Sequence, residues 1–229
     1  MRPSVRPVDP DAIREQILDA AMECVIELGF TSRLHAAIAQ RAGLSRPTVY
    51  KYVGDQNAIF GALFQREITR FFVVLDPVLR GQERSLRSDQ KPERSLRSDQ
   101  KPERDLRVGF VDAIVFAVQY ARAHPLLQKG LRDDPQVVLP WFTVRAKPFV
   151  ELGANLLTPH FQRLFTPGQL AEVSPKAISE WAFRIIGSLI VTEGIVDTTQ
   201  EQSLREFVSS LLSIAFIPAP DPGLVRGAG

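Results

Sequence analysis

IAQRAGLSRPTVYKYV, residues 38–53 of the 229-residue chain, has the pattern of two short helices joined by a tight turn. Gly43 can adopt the left-handed conformation that ends a helix, and Ser45 is a natural N-cap for the helix that follows. Pro47 falls in the first turn of that second helix, where its missing N–H has no helical partner to lose. Val49 and Val53 lie one turn apart and face a small core. The stretch therefore predicts a helix-turn-helix.

The free face of the second helix carries cations and hydroxyl groups, namely Arg46, Thr48, Tyr50 and Lys51. Side chains of these types can contact the phosphates and base edges of a DNA groove. The net charge of +2 is too small to indicate DNA binding by itself, but the charge distribution is informative. From residue 30 to residue 55 the charged residues are Arg33, Arg41, Arg46, Lys51 and Asp55. DNA reading is therefore favoured, and an ordinary helical hairpin in a larger bundle is the alternative.

The predicted first helix begins at Asp9 and Pro10 and bears acids at Glu15, Asp19 and Glu23. Their spacing of four residues places these acids in one stripe. Since DNA phosphates repel carboxylates, we expect the stripe to be a solvated face that turns away from DNA.

Residues 22–64 resemble the DNA-binding region of the TetR (tetracycline-repressor) family of transcriptional regulators. The matching segments are Gly29-Phe30, Ile38-Ala39, Ala42-Gly43-Leu44-Ser45, Thr48-Val49-Tyr50-Lys51-Tyr52, Gly54-Asp55 and Ala58-Ile59-Phe60. The resemblance implies an all-α fold, with an N-terminal three-helix helix-turn-helix domain and a C-terminal helical bundle for ligand binding and dimerisation. We expect the DNA-binding domain at 9–56, with its recognition motif at about 34–53, and the regulatory domain at 57–217.

The helix before the recognition helix departs from the family pattern at its start. Family members usually have Thr, then Ser or Thr, then an apolar residue, whereas this chain has Arg33, Leu34 and His35. Ser32 is then the expected N-cap. Gln56 replaces a favoured Lys at the start of the fourth helix, which leaves backbone N–H groups to bind phosphate there. The predicted DNA contacts are Arg33, Ser45, Arg46, Pro47, Thr48, Tyr50, Lys51, Tyr52 and Gln56.

A fourth helix is predicted from Asn57 towards Leu79, with Pro77 weakening or ending it. The decapeptide ERSLRSDQKP then occurs twice, at 83–92 and 93–102. A ten-residue period does not keep one helical face in register, so we expect a solvated, low-complexity insertion that is mostly loop, with a specific binding arm as the alternative. The Pro- and Gly-rich end, 218–229, is expected to be a disordered tail.

Helical spacing resumes at Leu106 and ends at His124, which is expected to cap a helix end. Further helical pieces are predicted at 126–131 and 140–157. A loop holding Pro159, Pro167 and Pro175, with His160 also on a loop, is followed by helices at 175–192 and 201–216. The resemblance assigns the last two helices to a homodimer four-helix bundle. The predicted interface residues are Ile185, Leu189, Leu204, Phe207, Val208 and Leu211.

Aromatic residues in the C-terminal region exceed what a minimal dimer interface requires. The predicted ligand-pocket residues are Phe110, Phe116, Tyr120, Trp141, Phe142, Phe149 and Trp181. An aromatic set with few polar groups suits a small apolar ligand, and simple core packing is the alternative.

Other classes of protein fit the sequence poorly. The single cysteine, Cys24, excludes an internal disulfide framework and is typical of a reducing cytoplasm. No signal-peptide pattern or apolar stretch of about 18 residues indicates a membrane. The histidines His35, His124 and His160 lack metal-ligand spacing, and catalytic motifs are missing. We therefore expect a cytoplasmic bacterial protein that is not an enzyme and uses no metal or cofactor.

The sequence thus favours a ligand-responsive repressor, which binds a palindromic operator in double-stranded DNA as a homodimer and is released by a small apolar effector. The alternative is a DNA-binding regulator whose C-terminal domain serves only dimerisation or contact with a protein partner.

Overall fold

The computed structural model describes residues 9–88, 101–165, 168 and 174–215, and its regular secondary structure is entirely α-helical over these ranges. The helices are α1 (Pro10–Leu28), α2 (His35–Arg41), α3 (Arg46–Tyr52), α4 (Gln56–Ser88), α5 (Lys101–Ala123), α6 (Pro125–Asp133), α7 (Pro135–Phe142), α8 (Lys147–Leu164), α9 (Pro175–Val191) and α10 (Glu201–Ala215). The predicted fold class is confirmed. None of these helices has the length and apolar character needed to cross a membrane. The predicted tail at 218–229 lies outside the described residues.

The helix-turn-helix forms through the local signals in its sequence. Gly43 has a φ of +63° in the turn after α2. The Ser45 hydroxyl accepts a hydrogen bond from the Thr48 N–H at 3.2 Å and so caps α3. Asp9 caps α1 in a similar way, by accepting from the Asp11 N–H at 3.0 Å. Side-chain oxygens thus satisfy N–H groups that have no partner within either helix.

The start of α2 differs from the prediction. Ser32 does not cap it, because the Ser32 hydroxyl donates to the Leu28 carbonyl at 2.6 Å. Gln56, at the start of α4, instead holds the loop before α2. Its side-chain oxygen accepts from the Leu34 N–H at 3.1 Å, and its nitrogen donates to the carbonyls of Phe30 and Ser32 at 3.2 and 2.9 Å. A long-range contact therefore replaces the expected local cap.

Two prolines that predict breaks in the sequence lie inside helices. Pro77 is within α4, which continues well beyond it, and Pro159 is within α8 together with His160. Each proline and the residue four positions before it, Val73 or Asn155, are exposed. Water can therefore bond to the carbonyl that loses its helical partner. The predicted end of α4 and the predicted loop at His160 are both wrong.

The duplicated decapeptide is also helical where the structure describes it. Residues 83–88 continue α4 and residues 101–102 begin α5, whereas 89–100 lie outside the described residues. Pro140 likewise lies inside α7 rather than at the start of a helix. The predicted last two helices are confirmed as α9, which ends one residue before its predicted end, and α10, which is described as far as Ala215.

One hydrophobic core runs through the helix-turn-helix and the adjoining bundle. The buried ring of Phe30, just after α1, lies 5.1 Å from the ring of Phe60 in α4. The Phe30 N–H donates to the buried carboxylate of Asp134 at 2.8 Å. Leu126 of α6 and Val138 of α7 belong to the same core. The predicted domain boundary at residue 56 therefore divides the helices but not the core beneath them.

Candidate DNA interface and ligand cavity

The outer face of α3 presents two exposed cations, Arg46 and Lys51. The Lys51 Nζ lies 5.3 Å from the centroid of the Tyr52 ring. Tyr50 is 53% exposed, and its ring stacks on that of His35 with centroids 4.1 Å apart and 5° between the planes. This stack restrains an exposed phenol beside the two cations, which suits a surface that contacts phosphates and base edges.

His35 supports this surface by packing under the Tyr50 ring. Both of its ring nitrogens are buried, and neither has a hydrogen-bond partner within the described ranges. Burial lowers the pKa of the His35 imidazole, because removal from water disfavours the charged form. His35 therefore stays neutral at pH 7 and acts as a flat packing surface for Tyr50.

Three of the predicted DNA-contacting side chains make contacts within the protein itself. The Ser45 hydroxyl caps α3, the Gln56 amide holds the loop before α2, and Tyr52 is half-buried against the core. The side chain of Thr48 is partly buried, and its hydroxyl lies 2.7 Å from that of Ser45. The other predicted contacts are exposed, namely Arg33, Arg46, Pro47, Tyr50 and Lys51.

Several acids of α1 form ion pairs, which corrects two expectations. Arg41 bonds the Glu27 carboxylate at 2.5 Å, so Arg41 does not belong with the free cations that face DNA. Glu15 and Asp19 contact Arg66 of α4 at 3.3 and 2.8 Å, so the acidic stripe is more than a solvated face. These ion pairs neutralise acids that would otherwise repel DNA.

A cavity of about 250 Å³ lies between α4, α5, α6, α7, α8 and α9. The predicted pocket residues that line it are Phe110, Tyr120, Trp141, Phe142 and Phe149. Phe116 and Trp181 are not among the lining residues, and Trp181 is 37% exposed. The prediction missed the contribution of α4, which includes Phe64, Phe71 and Phe72. Periodicity shows that α4 has apolar residues but not which of them face a cavity.

The polar end of the cavity is built around the carboxylate of Glu67 in α4. Its Oε1 accepts from Arg66 Nε at 3.0 Å and from Arg70 at 3.1 Å. His124 caps α6, as predicted, by accepting the Leu127 N–H on Nδ1 at 3.4 Å. Because Nδ1 accepts there, Nε2 is the nitrogen that donates to Glu67 Oε2, at 3.3 Å. Burial alone would raise the pKa of Glu67, but these partners hold it below its usual value, so the carboxylate is charged.

The last two helices expose only part of the predicted dimer interface. Leu204 and Val208 are each 1% exposed, because they pack within the protomer against Val111 and Ile114 of α5. They cannot face a partner, and the interface prediction is corrected at both positions. The predicted residues that are partly exposed are Ile185, Leu189, Phe207 and Leu211.

The sequence profile described as bacterial regulatory proteins of the tetR family matches residues 17–63, from the middle of α1 into α4. The predicted resemblance to the TetR family is confirmed over this segment. An uncharacterized HTH-type transcriptional regulator of Mycobacterium bovis is 38% identical over 69 residues, which are 30% of this chain and 35% of that protein. The alignment thus spans about a third of the relative's length. That relative is named as a transcriptional regulator and not as an enzyme.

Solved TetR-family structures share the fold along most of this chain. The repressor AlkX from a Dietzia strain has a TM-score of 0.55 at 18% identity, covering 88% of this chain and 95% of its own. A regulator from Pectobacterium atrosepticum also has a TM-score of 0.55, at 14% identity, covering 95% of this chain and 100% of its own. At these identities the likeness concerns the fold alone.

Proposed function

We propose that this protein is a ligand-responsive repressor of the TetR family that binds an inverted-repeat operator as a homodimer and leaves it when a small apolar effector binds. Residues 9–56 form the DNA-binding domain in this proposal, and residues 57–217 the regulatory domain. The cavity of about 250 Å³ carries the proposal, because α4 both lines it and begins at the edge of the helix-turn-helix.

The helix α4 is the element that we propose connects movement at the cavity with movement of the helix-turn-helix. Its first residue, Gln56, holds the loop before α2, and its later residues Phe64, Glu67 and Phe71 line the cavity. An effector changes DNA affinity only if it favours one arrangement of the two DNA-binding domains in the proposed dimer over another. Paired recognition helices must match a DNA turn of about 34–36 Å or a multiple. A tilt of α4 would change that spacing and release the operator.

The proposed DNA contacts follow from the exposed face of α3. We place Arg46 and Thr48 at base edges and Tyr50 and Lys51 at phosphates, with Arg33 as a further phosphate contact. Support comes from the exposure of Arg46, Tyr50 and Lys51 and from the pairing of the nearby acids of α1. The backbone N–H groups at the start of α4 remain candidates for another phosphate.

Replacing Lys51 with Ala should weaken binding to operator and unrelated duplexes by the same factor, because a phosphate contact carries no sequence information. The slope of log affinity against log salt should fall by about one for each phosphate that the protein no longer neutralises. Fluorescence anisotropy over a salt series measures both quantities, with an operator obtained by selection from random duplexes.

Lys147→Ala is the matched control, since Lys147 is an exposed lysine in α8, outside the DNA-binding domain. It should leave the affinity and the slope unchanged. If Lys51→Ala behaves like this control, Lys51 does not contact phosphate. If the unaltered protein selects no duplex at all, the proposed function fails.

A further inference from the structure

We infer that the effector of this cavity is an apolar molecule with one positive charge, whose cationic group lies against Glu67, and that anions of the same shape bind poorly. The inference rests on the proposed function, because it names the ligand class of the same cavity. It follows from the charge of the lining, the free acceptor position on Glu67, and the aromatic rings beside it.

The described lining has one acid and two imidazoles, those of His124 and His160, but no ammonium or guanidinium group. Among the described lining residues Glu67 is the carboxylate, and neither Lys nor Arg occurs there. The arginines that bond Glu67 reach it from outside the lining. A ligand with a carboxylate group would lose its hydration on entering the cavity and would lie near the negative charge of Glu67. Like charges brought together in such surroundings repel strongly, whereas an ammonium group is attracted.

Glu67 still has a position at which it can accept a ligand's hydrogen bond. Both arginines donate to Oε1. Oε2 receives only the His124 Nε2–H from the residues that the structure describes. Since each carboxylate oxygen can accept two hydrogen bonds, Oε2 can accept one more. An N–H of a protonated amine fits this position without displacing His124.

Aromatic rings near Glu67 favour the same charge. Tyr120 lines the cavity, and its ring lies 5.2 Å from that of Phe71 and 5.8 Å from that of His124. Burial and then the nearby Glu67 charge raise the pKa of Tyr120, so its phenol stays neutral. The faces of neutral aromatic rings attract ammonium groups, most strongly where water is excluded.

A cation at Glu67 would also affect the contacts between α4 and the DNA-binding domain. Arg66, which shares the Glu67 carboxylate, bonds Asp19 at 2.8 Å and the Leu18 carbonyl at 3.3 Å in α1. A second cation beside Glu67 offsets part of the charge that holds Arg66, and so shifts Arg66 between Glu67 and its partners in α1. Occupation of the cavity by a cation is thereby linked to the position of the helix-turn-helix.

Three probes with the same decyl chain test the inference by calorimetry at pH 7: decylamine, decanol and decanoate, each below its micelle concentration. Decylamine should bind the unaltered protein at least about tenfold more tightly than decanoate, with decanol between them. Equal or tighter binding of decanoate would overturn the inference but leave a ligand-responsive repressor possible. Binding of none of the three would overturn the inference together with the proposed apolar effector, while operator binding by the same sample separately tests DNA recognition.

Glu67→Gln removes the charge while keeping the shape, and it should abolish the preference for decylamine over decanol. Glu151→Gln makes the same chemical change at an exposed position on α8 and should retain the full preference. The comparison of probes on the unaltered protein still decides the matter if Glu67→Gln folds poorly. A retained preference in a folded Glu67→Gln protein would contradict the assignment of Glu67.

Discussion

Replacing Arg66 with Met should lower the free energy of unfolding by about 3 kcal/mol, because it leaves a buried carboxylate without its nearest cation. The Arg66 side chain is only 7% exposed and bonds Glu67, which is 10% exposed. It also bonds Asp19 and the Leu18 carbonyl in α1. Glu67 keeps its contacts with Arg70 and His124, which places the loss at the lower end of the range for broken buried pairs.

Arg70→Met is the control for this substitution, since Arg70 approaches the same acids but is 48% exposed. Water screens an exposed pair, so the control should lose less than about 1 kcal/mol. Urea denaturation followed by circular dichroism gives both values. Similar small losses in the two variants would show that Arg66 does not secure α4 against α1.

Replacing Leu211 with Asp should convert the proposed dimer to a folded monomer. Operator affinity should fall by about 100-fold or more, because two linked DNA-binding domains gain avidity that a single domain lacks. Leu211 lies on α10 and remains partly exposed in the protomer, as does Phe207 one turn before it. An isologous interface places each substituted residue in contact with the partner, so two carboxylates enter an apolar surface.

Sedimentation velocity and operator titration measure these two effects, and circular dichroism checks that the helices persist. Val144→Asp is the matched control, because Val144 is 87% exposed and lies outside α9 and α10. It should remain dimeric and bind operator normally. A dimeric Leu211→Asp protein with unchanged affinity would contradict the proposed interface, and so would an unaltered protein that binds a palindrome tightly as a monomer.

The helix-turn-helix was predictable because its signals are local. Gly43, Ser45 and Pro47 each act within a few residues, and the structure shows the expected turn and cap. The role of Gln56 could not be predicted from local signals. Its replacement of a favoured lysine suggested only a missing phosphate contact, whereas its amide bonds backbone groups more than 20 residues earlier in the chain.

The cavity was predictable only in part, for a related reason. Aromatic spacing identified residues on α5, α7 and α8, including Phe110, Trp141 and Phe149. The polar end depends on contacts between distant segments, such as Glu67 with His124, which are 57 positions apart. Leu204 and Val208 failed as interface residues because helical periodicity shows an apolar face without showing which helix covers it. Here α5 covers them within the protomer.

The central claim is that effector and operator compete through one conformational equilibrium. A thermal-shift screen of lipids, acyl-CoA esters, aliphatic amines and drug-like aromatics supplies the most stabilising compound, and its Kd is then measured with and without saturating operator. A coupling free energy of about 1–3 kcal/mol corresponds to a roughly 5–150-fold change, and linkage makes this factor the same in both directions. We predict that operator weakens effector binding by a factor in this range. Equal affinities with and without operator would contradict the account and favour a bundle that serves only dimerisation or protein contact.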